Sequence, residues 1–89
     1  MAYSNMSGIE AASSSEPTPR TEDFFDLGIR YSAGLEVETD LIAAHKWFNL
    51  AAVAGNRDAA HYRQEVAQEM SGADIAAAQR AAREWLTAH

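Results

Sequence analysis

The chain has no cysteine, little proline and few basic residues. Without cysteine among its 89 residues, a disulfide framework, a thiolate zinc site and a cysteine nucleophile are excluded. Two prolines beside 19 alanines favour closely packed helices over a β-sandwich or barrel. Seven basic side chains against 13 acidic ones give a formal net charge of −6. This acidic balance argues against broad contact with a nucleic-acid backbone.

Long apolar segments are also missing. The run at residues 50–54 is far shorter than the roughly 20 residues that a membrane span requires. The first eight residues contain neither a basic region nor an apolar region of the kind found in secretory signals. We therefore expect a single small domain that is cytoplasmic and does not insert into a membrane.

Residues 1–20 differ in composition from the remainder. The stretch at residues 11–19 consists mainly of alanine, serine and proline and has no apolar periodicity. Such a segment buries too little surface to offset the entropy lost on ordering. The sequence therefore predicts a disordered tail over 1–20 and a helical domain over 21–89. Whether the tail carries a binding motif stays open.

The domain reads as four helices separated by short turns. Each helix follows a residue that is suited to an N-cap, and Gly34 is suited to a left-handed C-cap after the first helix. The predicted N-caps are Thr21, Asp40, Asn56 and Ser71. The third helix is predicted to run from residue 57 to about residue 70. Because the connections are short, sequential helices are predicted to be antiparallel, in an all-α fold.

A set of small, aromatic and turn-forming residues recurs at characteristic spacing between residues 27 and 59. Its members are Leu27, Gly28, Tyr31, Gly34, Val37, Asp40, Ala44, Trp47, Phe48, Ala51, Ala52, Gly55 and Ala59. This pattern resembles one complete sel-one-like repeat (SLR), a bacterial helical repeat related to tetratricopeptide repeats. The resemblance implies an α/α solenoid with a repeat over about 23–59 and capping helices over about 57–88. It also implies a bacterial source and a non-catalytic adaptor or scaffold function.

The sequence departs from the repeat pattern in two places. Asp23 stands where the family usually has alanine, and Arg63 and Gln64 stand where a following repeat would have Leu-Gly. The second unit is therefore predicted to act as a closing helical hairpin, because solenoid ends need a polar outer face. One repeat is fewer than the roughly three that usually give stability, so a homodimer is a further expectation.

The sequence contains no arrangement that indicates catalysis, a metal site or a cofactor. His45 lies on an apolar stripe and is predicted to pack, while His61 and Glu65 are one helical turn apart, as on many solvated helices. No metalloprotease motif, phosphate-binding glycine loop or nucleophile elbow is present. We therefore expect no enzyme and no cofactor.

A partner-binding groove is predicted on the first and third helices. In SLR and related arrays the first helix of each pair lines the concave surface. The resemblance therefore implies that the residues of the first helix that do not face the core line a binding groove. The predicted groove residues are Glu22, Phe25, Asp26, Ile29, Arg30, Ser32, His61, Glu65 and Gln68. Phe25 and Ile29 would form its apolar floor. Alternatively, Phe25 packs beneath the tail or the third helix.

Charge and self-association leave further alternatives. Residues 22–40 carry six acidic side chains and one basic side chain, a local sum of −5. This excess either attracts a partner protein with a basic surface or serves solubility and helix capping. A homo-oligomeric structural protein that pairs through its exposed repeat face is the second hypothesis. A helix-turn-helix nucleic-acid binder using Arg80 and Arg83 is a remote third.

Overall fold

The structure is a computed structural model that describes residues 18–89. Residues 1–17, which form most of the predicted tail, lie outside the described residues. The described part contains four α-helices, and no strand occurs within it: α1 (Thr21–Ala33), α2 (Leu41–Val53), α3 (Arg57–Ala67) and α4 (Gly72–Ala88). The predicted all-α fold with four helices is confirmed.

Polar side chains begin three of the helices, as the sequence predicts. The Asp40 carboxylate accepts a hydrogen bond from the Ala43 N–H at 3.0 Å. The Asn56 side chain accepts from two N–H groups of the first turn of α3. The Ser71 hydroxyl accepts from the N–H of residue 74 at 3.1 Å. Each bond satisfies an N–H that has no partner within its own helix, and each contributes about 0.5–2 kcal/mol.

Two helix boundaries differ from the prediction. Helix α1 is preceded by Arg20 rather than by Thr21, and the carboxylate of Asp23 accepts the Arg20 N–H at 3.1 Å. Arg20, the last residue of the predicted tail, is therefore the N-cap of α1. Helix α3 ends at Ala67 rather than near residue 70. The chain there tightens into a turn in which the Met70 N–H bonds to the Ala67 carbonyl at 3.1 Å.

Helix α2 lies at the centre of the domain. Helices α1, α3 and α4 each pack against it, and Phe48 and Leu50 of α2 are the largest fully buried side chains among the described residues. Leu41, at the start of α2, shares a cluster with Met70, which follows α3, so these two helices are antiparallel. Helix α2 therefore contacts neighbouring helices on more than one side. The last two helices, predicted to form a closing hairpin, both pack chiefly against α2.

The core has two aromatic clusters on different sides of α2. In the tryptophan cluster, the Phe24 ring lies 5.6 Å from Trp47 and 5.2 Å from Trp85, measured between ring centroids. In the phenylalanine cluster, the Phe25 ring lies 5.7 Å from Phe48 and 5.1 Å from Tyr62. Aromatic pairs in such tilted and edge-to-face arrangements add roughly 0.5–1.5 kcal/mol each beyond burial of their area.

Gly28 of α1 lies directly against the Phe48 ring of α2. A Cβ atom placed on Gly28 would lie 2.5 Å from the Phe48 ring, so any larger residue would overlap it. Gly34 ends α1 in the left-handed conformation, with φ of +72°, which glycine adopts without steric cost. Gly28 and Gly34 therefore have structural roles, one in helix packing and one in ending α1.

Candidate functional site

The apolar floor of the predicted groove is part of the helix packing. Phe25 is half-buried between Phe48 of α2 and Tyr62 of α3. This placement corresponds to the alternative in which Phe25 packs beneath the third helix. Ile29 is also half-buried and packs against the group formed by Ala44, Phe48 and Val66. Both side chains thus help to hold α1, α2 and α3 together.

The polar groove residues of α1 are held by contacts within the chain. Arg30 donates from Nε to Asp26 at 2.8 Å and from Nη1 to Glu36 at 2.6 Å. The hydrogen bond that Arg30 donates to Asp26 and the negative charges of both carboxylates raise the pKa of Arg30. Ser32 donates to the carbonyl of Ile29 at 3.1 Å, and the exposed Glu22 lies 3.3 Å from Arg20. The one predicted cation of the groove is therefore already paired.

The groove residues predicted on the third helix are exposed to solvent. His61 Nε2 lies 3.1 Å from Glu65, and Gln68 follows the end of α3. Within residues 18–89, no group of three or more His, Asp or Glu side chains is placed to hold a metal ion. The His61–Glu65 pair accordingly has the geometry of an ordinary exposed contact on one helix face.

A cleft with three carboxylates lies where the α1–α2 loop meets the start of α4. Its volume is about 540 Å³, and we call it the acidic cleft. Glu38, Asp40 and Asp74 supply the carboxylates, and Leu41 and Ile42 contribute aliphatic surface. The sequence does not reveal this cleft, because Asp74 lies 34 residues after Asp40 and comes near it only through the packing of α4 against α2.

A second cavity lies at the opposite end of the helices. It has a volume of about 460 Å³ and is bounded by the start of α1 and the ends of α2 and α4. We call it the end patch. Its lining residues are Thr18, Pro19, Thr21, Phe24, Leu50, Val53, Ala54, Trp85, Leu86 and His89. The sequence does not reveal this cavity, because its lining comes from three helices that are far apart along the chain.

His45 lies under α3 and is almost completely buried, at 3% exposure. Its Nδ1 atom has no hydrogen-bond partner among the described residues. Burial, and secondarily the positive charge of Arg63, lowers the pKa of His45 and favours the neutral ring. Arg63 itself donates to the Asn49 side chain at 2.8 Å, across the α2–α3 contact. The predicted packing position of His45 agrees with this placement.

No helix of the described part is both long enough and apolar enough to cross a membrane. The described histidines and carboxylates form no arrangement of a nucleophile, a base and an orienting group among the hydrogen bonds of residues 18–89. The surface concavities of the described part include the acidic cleft and the end patch. Comparison with protein-family models found no match, and comparisons with curated proteins and with solved structures likewise found none.

Proposed function

We propose that this protein is a non-catalytic interaction module of the SLR type, which binds another protein carrying a basic surface. The acidic cleft is the observation that carries this proposal. Three carboxylates from two separate segments surround a concavity that also contains Leu41 and Ile42. A lysine or arginine side chain combines a cationic end with an aliphatic stem, and it suits such a lining.

The charge of the surrounding segment supports the same partner chemistry. Residues 22–40 sum to −5, and Arg30, their single cation, already contacts Asp26 and Glu36. An excess of one sign over a small surface accelerates association with a partner of the opposite sign, and the effect declines with salt. The partner is therefore expected to bind more weakly as ionic strength rises.

A matched pair of charge variants tests the proposal. In Glu38→Gln/Asp74→Asn, two carboxylates of the cleft are neutralised. In Glu69→Gln/Glu84→Gln, two exposed carboxylates elsewhere are neutralised, so both variants have a formal net charge of −4, two units above the −6 of the parent. Basic proteins cross-linked to the parent in cells should be recovered several-fold less with the first variant and unchanged with the second.

A direct titration identifies the surface. A short lysine-rich peptide should shift the amide NMR signals of residues 38–42 and 74 and leave α3 unaffected, whereas a glutamate-rich peptide of equal length should shift none. Equal losses in both charge variants would show a general charge effect and contradict the cleft as the site. Lysine-peptide shifts confined to α1 and α3 would instead favour the predicted groove.

A further inference from the structure

The end patch combines protruding and recessed apolar surface at one place. Val53 and Leu86 are 66% and 49% exposed, so both aliphatic side chains project into solvent. Phe24 and Leu50 are buried at the base of the cavity beside them, and the half-buried Trp85 forms part of its wall. The cavity volume of about 460 Å³ exceeds that of either projecting side chain.

We propose that the end patch is the interface at which two copies of this chain form a two-fold dimer. A two-fold interface brings the same surface of each copy together, so that surface must be complementary to itself. The end patch meets this condition because each copy offers projecting aliphatic side chains and a cavity to receive those of its partner. The inference is independent of the acidic cleft, which lies at the other end of the helices.

The charge distribution favours a second copy over the basic partner proposed for the cleft. No aspartate, glutamate, lysine or arginine lines the end patch, although the chain as a whole has a net charge of −6. A basic partner would find no carboxylate there to bind. Two acidic copies can meet at this surface without burying a carboxylate, an ammonium or a guanidinium group, which would be costly, and His89 is the one titratable side chain that lines it.

The aromatic arrangement provides a spectroscopic reporter of the interface. The chain has two tryptophans: Trp47 is only 7% exposed, whereas Trp85 is half-buried and lines the patch. Quenching by iodide in solution therefore reports chiefly on Trp85. The His89 ring stacks on it at 4.0 Å between centroids. Dimer formation should cover Trp85 and reduce its quenching as protein concentration rises.

Sedimentation velocity over a range from about 5 µM to 1 mM tests the proposal. Because the patch is small compared with the roughly 800 Å² per partner of a typical stable interface, we expect dissociation constants in the micromolar range. The parent should approach twice its 9.7 kDa mass at high concentration. Leu86→Glu should stay monomeric, because it places like charges across the two-fold axis. Leu35→Glu, which changes a 52% exposed leucine at the other end of the helices, should dimerise like the parent.

A cross-linking variant keeps the proposal falsifiable if Leu86→Glu does not fold. The chain has no native cysteine, so Val53→Cys introduces a unique thiol at the patch, and Leu35→Cys is its control. A short bismaleimide should link Val53→Cys into dimers and leave Leu35→Cys largely unlinked. A monomer at every concentration, or equal linking of both variants, overturns the proposal. A third outcome also overturns the proposal. If Trp85 is protected from iodide at every protein concentration, and this protection is lost when residues 1–17 are removed, the chain's own N-terminal segment covers the patch.

Discussion

Substitution of Gly28 by alanine should destabilise the domain, although alanine is the better helix former. The added Cβ would lie 2.5 Å from two carbons of the Phe48 ring, whereas ordinary carbon contacts exceed about 3.4 Å. The ring would have to move by roughly 1 Å, but it is completely buried and lies against Phe25 and Tyr62. Overpacking costs about 1–3 kcal/mol, and helix propensity returns about 1 kcal/mol at most.

Because the Phe48 ring cannot move without displacing its neighbours, the overpacking cost lies in the upper part of that range, at about 2–3 kcal/mol. The net expectation is a loss of about 1–2 kcal/mol in the free energy of unfolding, or a fall in melting temperature of roughly 5–15 °C for a domain of this size. Thermal unfolding followed by circular dichroism at 222 nm measures this change. Gly72→Ala is the matched control, since a Cβ at Gly72 meets nothing within 4 Å. It should raise stability by about 0.4–1 kcal/mol. A Phe48→Leu change should partly rescue Gly28→Ala in a double-mutant cycle. An unchanged or raised melting temperature for Gly28→Ala would refute the close α1–α2 contact.

Three further predictions concern the core. Trp47→Ala should lower the free energy of unfolding by about 3–5 kcal/mol, because it removes a 7% exposed ring that packs against Phe24 and Trp85. A urea midpoint close to that of the parent would contradict this role. The free energy of unfolding should decrease as pH falls below 6.5. In the unfolded chain His45 binds a proton near this pH, whereas in the folded chain burial lowers its pKa, so protonation favours the unfolded state. Urea titrations at pH 7.5 and 5.5 should show a smaller decrease in His45→Leu, and equal decreases would exclude this histidine as the cause. Deletion from Ser71 onward should abolish cooperative unfolding, because it uncovers the tryptophan cluster, and a retained sharp transition would show that α4 is dispensable.

Local chemistry made much of the fold predictable. The caps at Asp40, Asn56 and Ser71 depend on one side chain and the N–H groups two or three residues later, so the sequence contains the whole interaction. The left-handed turn at Gly34 is equally local. The predicted N-cap of α1, Thr21, lies one residue after the observed N-cap, Arg20. Threonine is the more common N-cap residue, but here the Asp23 carboxylate accepts the Arg20 N–H, so the helix begins one residue earlier.

The candidate surfaces depended on contacts between segments far apart in sequence. Phe25 fits an exposed groove if only α1 is considered, but Tyr62, 37 residues later, reaches it across the bundle. Likewise, Asp74 joins the acidic cleft only because α4 lies along α2. Periodicity identifies the face of a helix on which a residue lies, but it does not identify the neighbour of that face. The sites could therefore not be placed from the sequence alone.

The adjacent phenylalanines of α1 determine the orientation of this helix about its own axis. Consecutive residues of an α-helix point about 100° apart. Phe24 accordingly enters the tryptophan cluster while Phe25 enters the phenylalanine cluster. A rotation of α1 in either direction would withdraw at least one ring from its cluster. The exposed carboxylates of α1 therefore keep a constant direction relative to the α1–α2 loop. A partner of the kind proposed above would meet a fixed charge pattern, and binding would require no ordering of this helix.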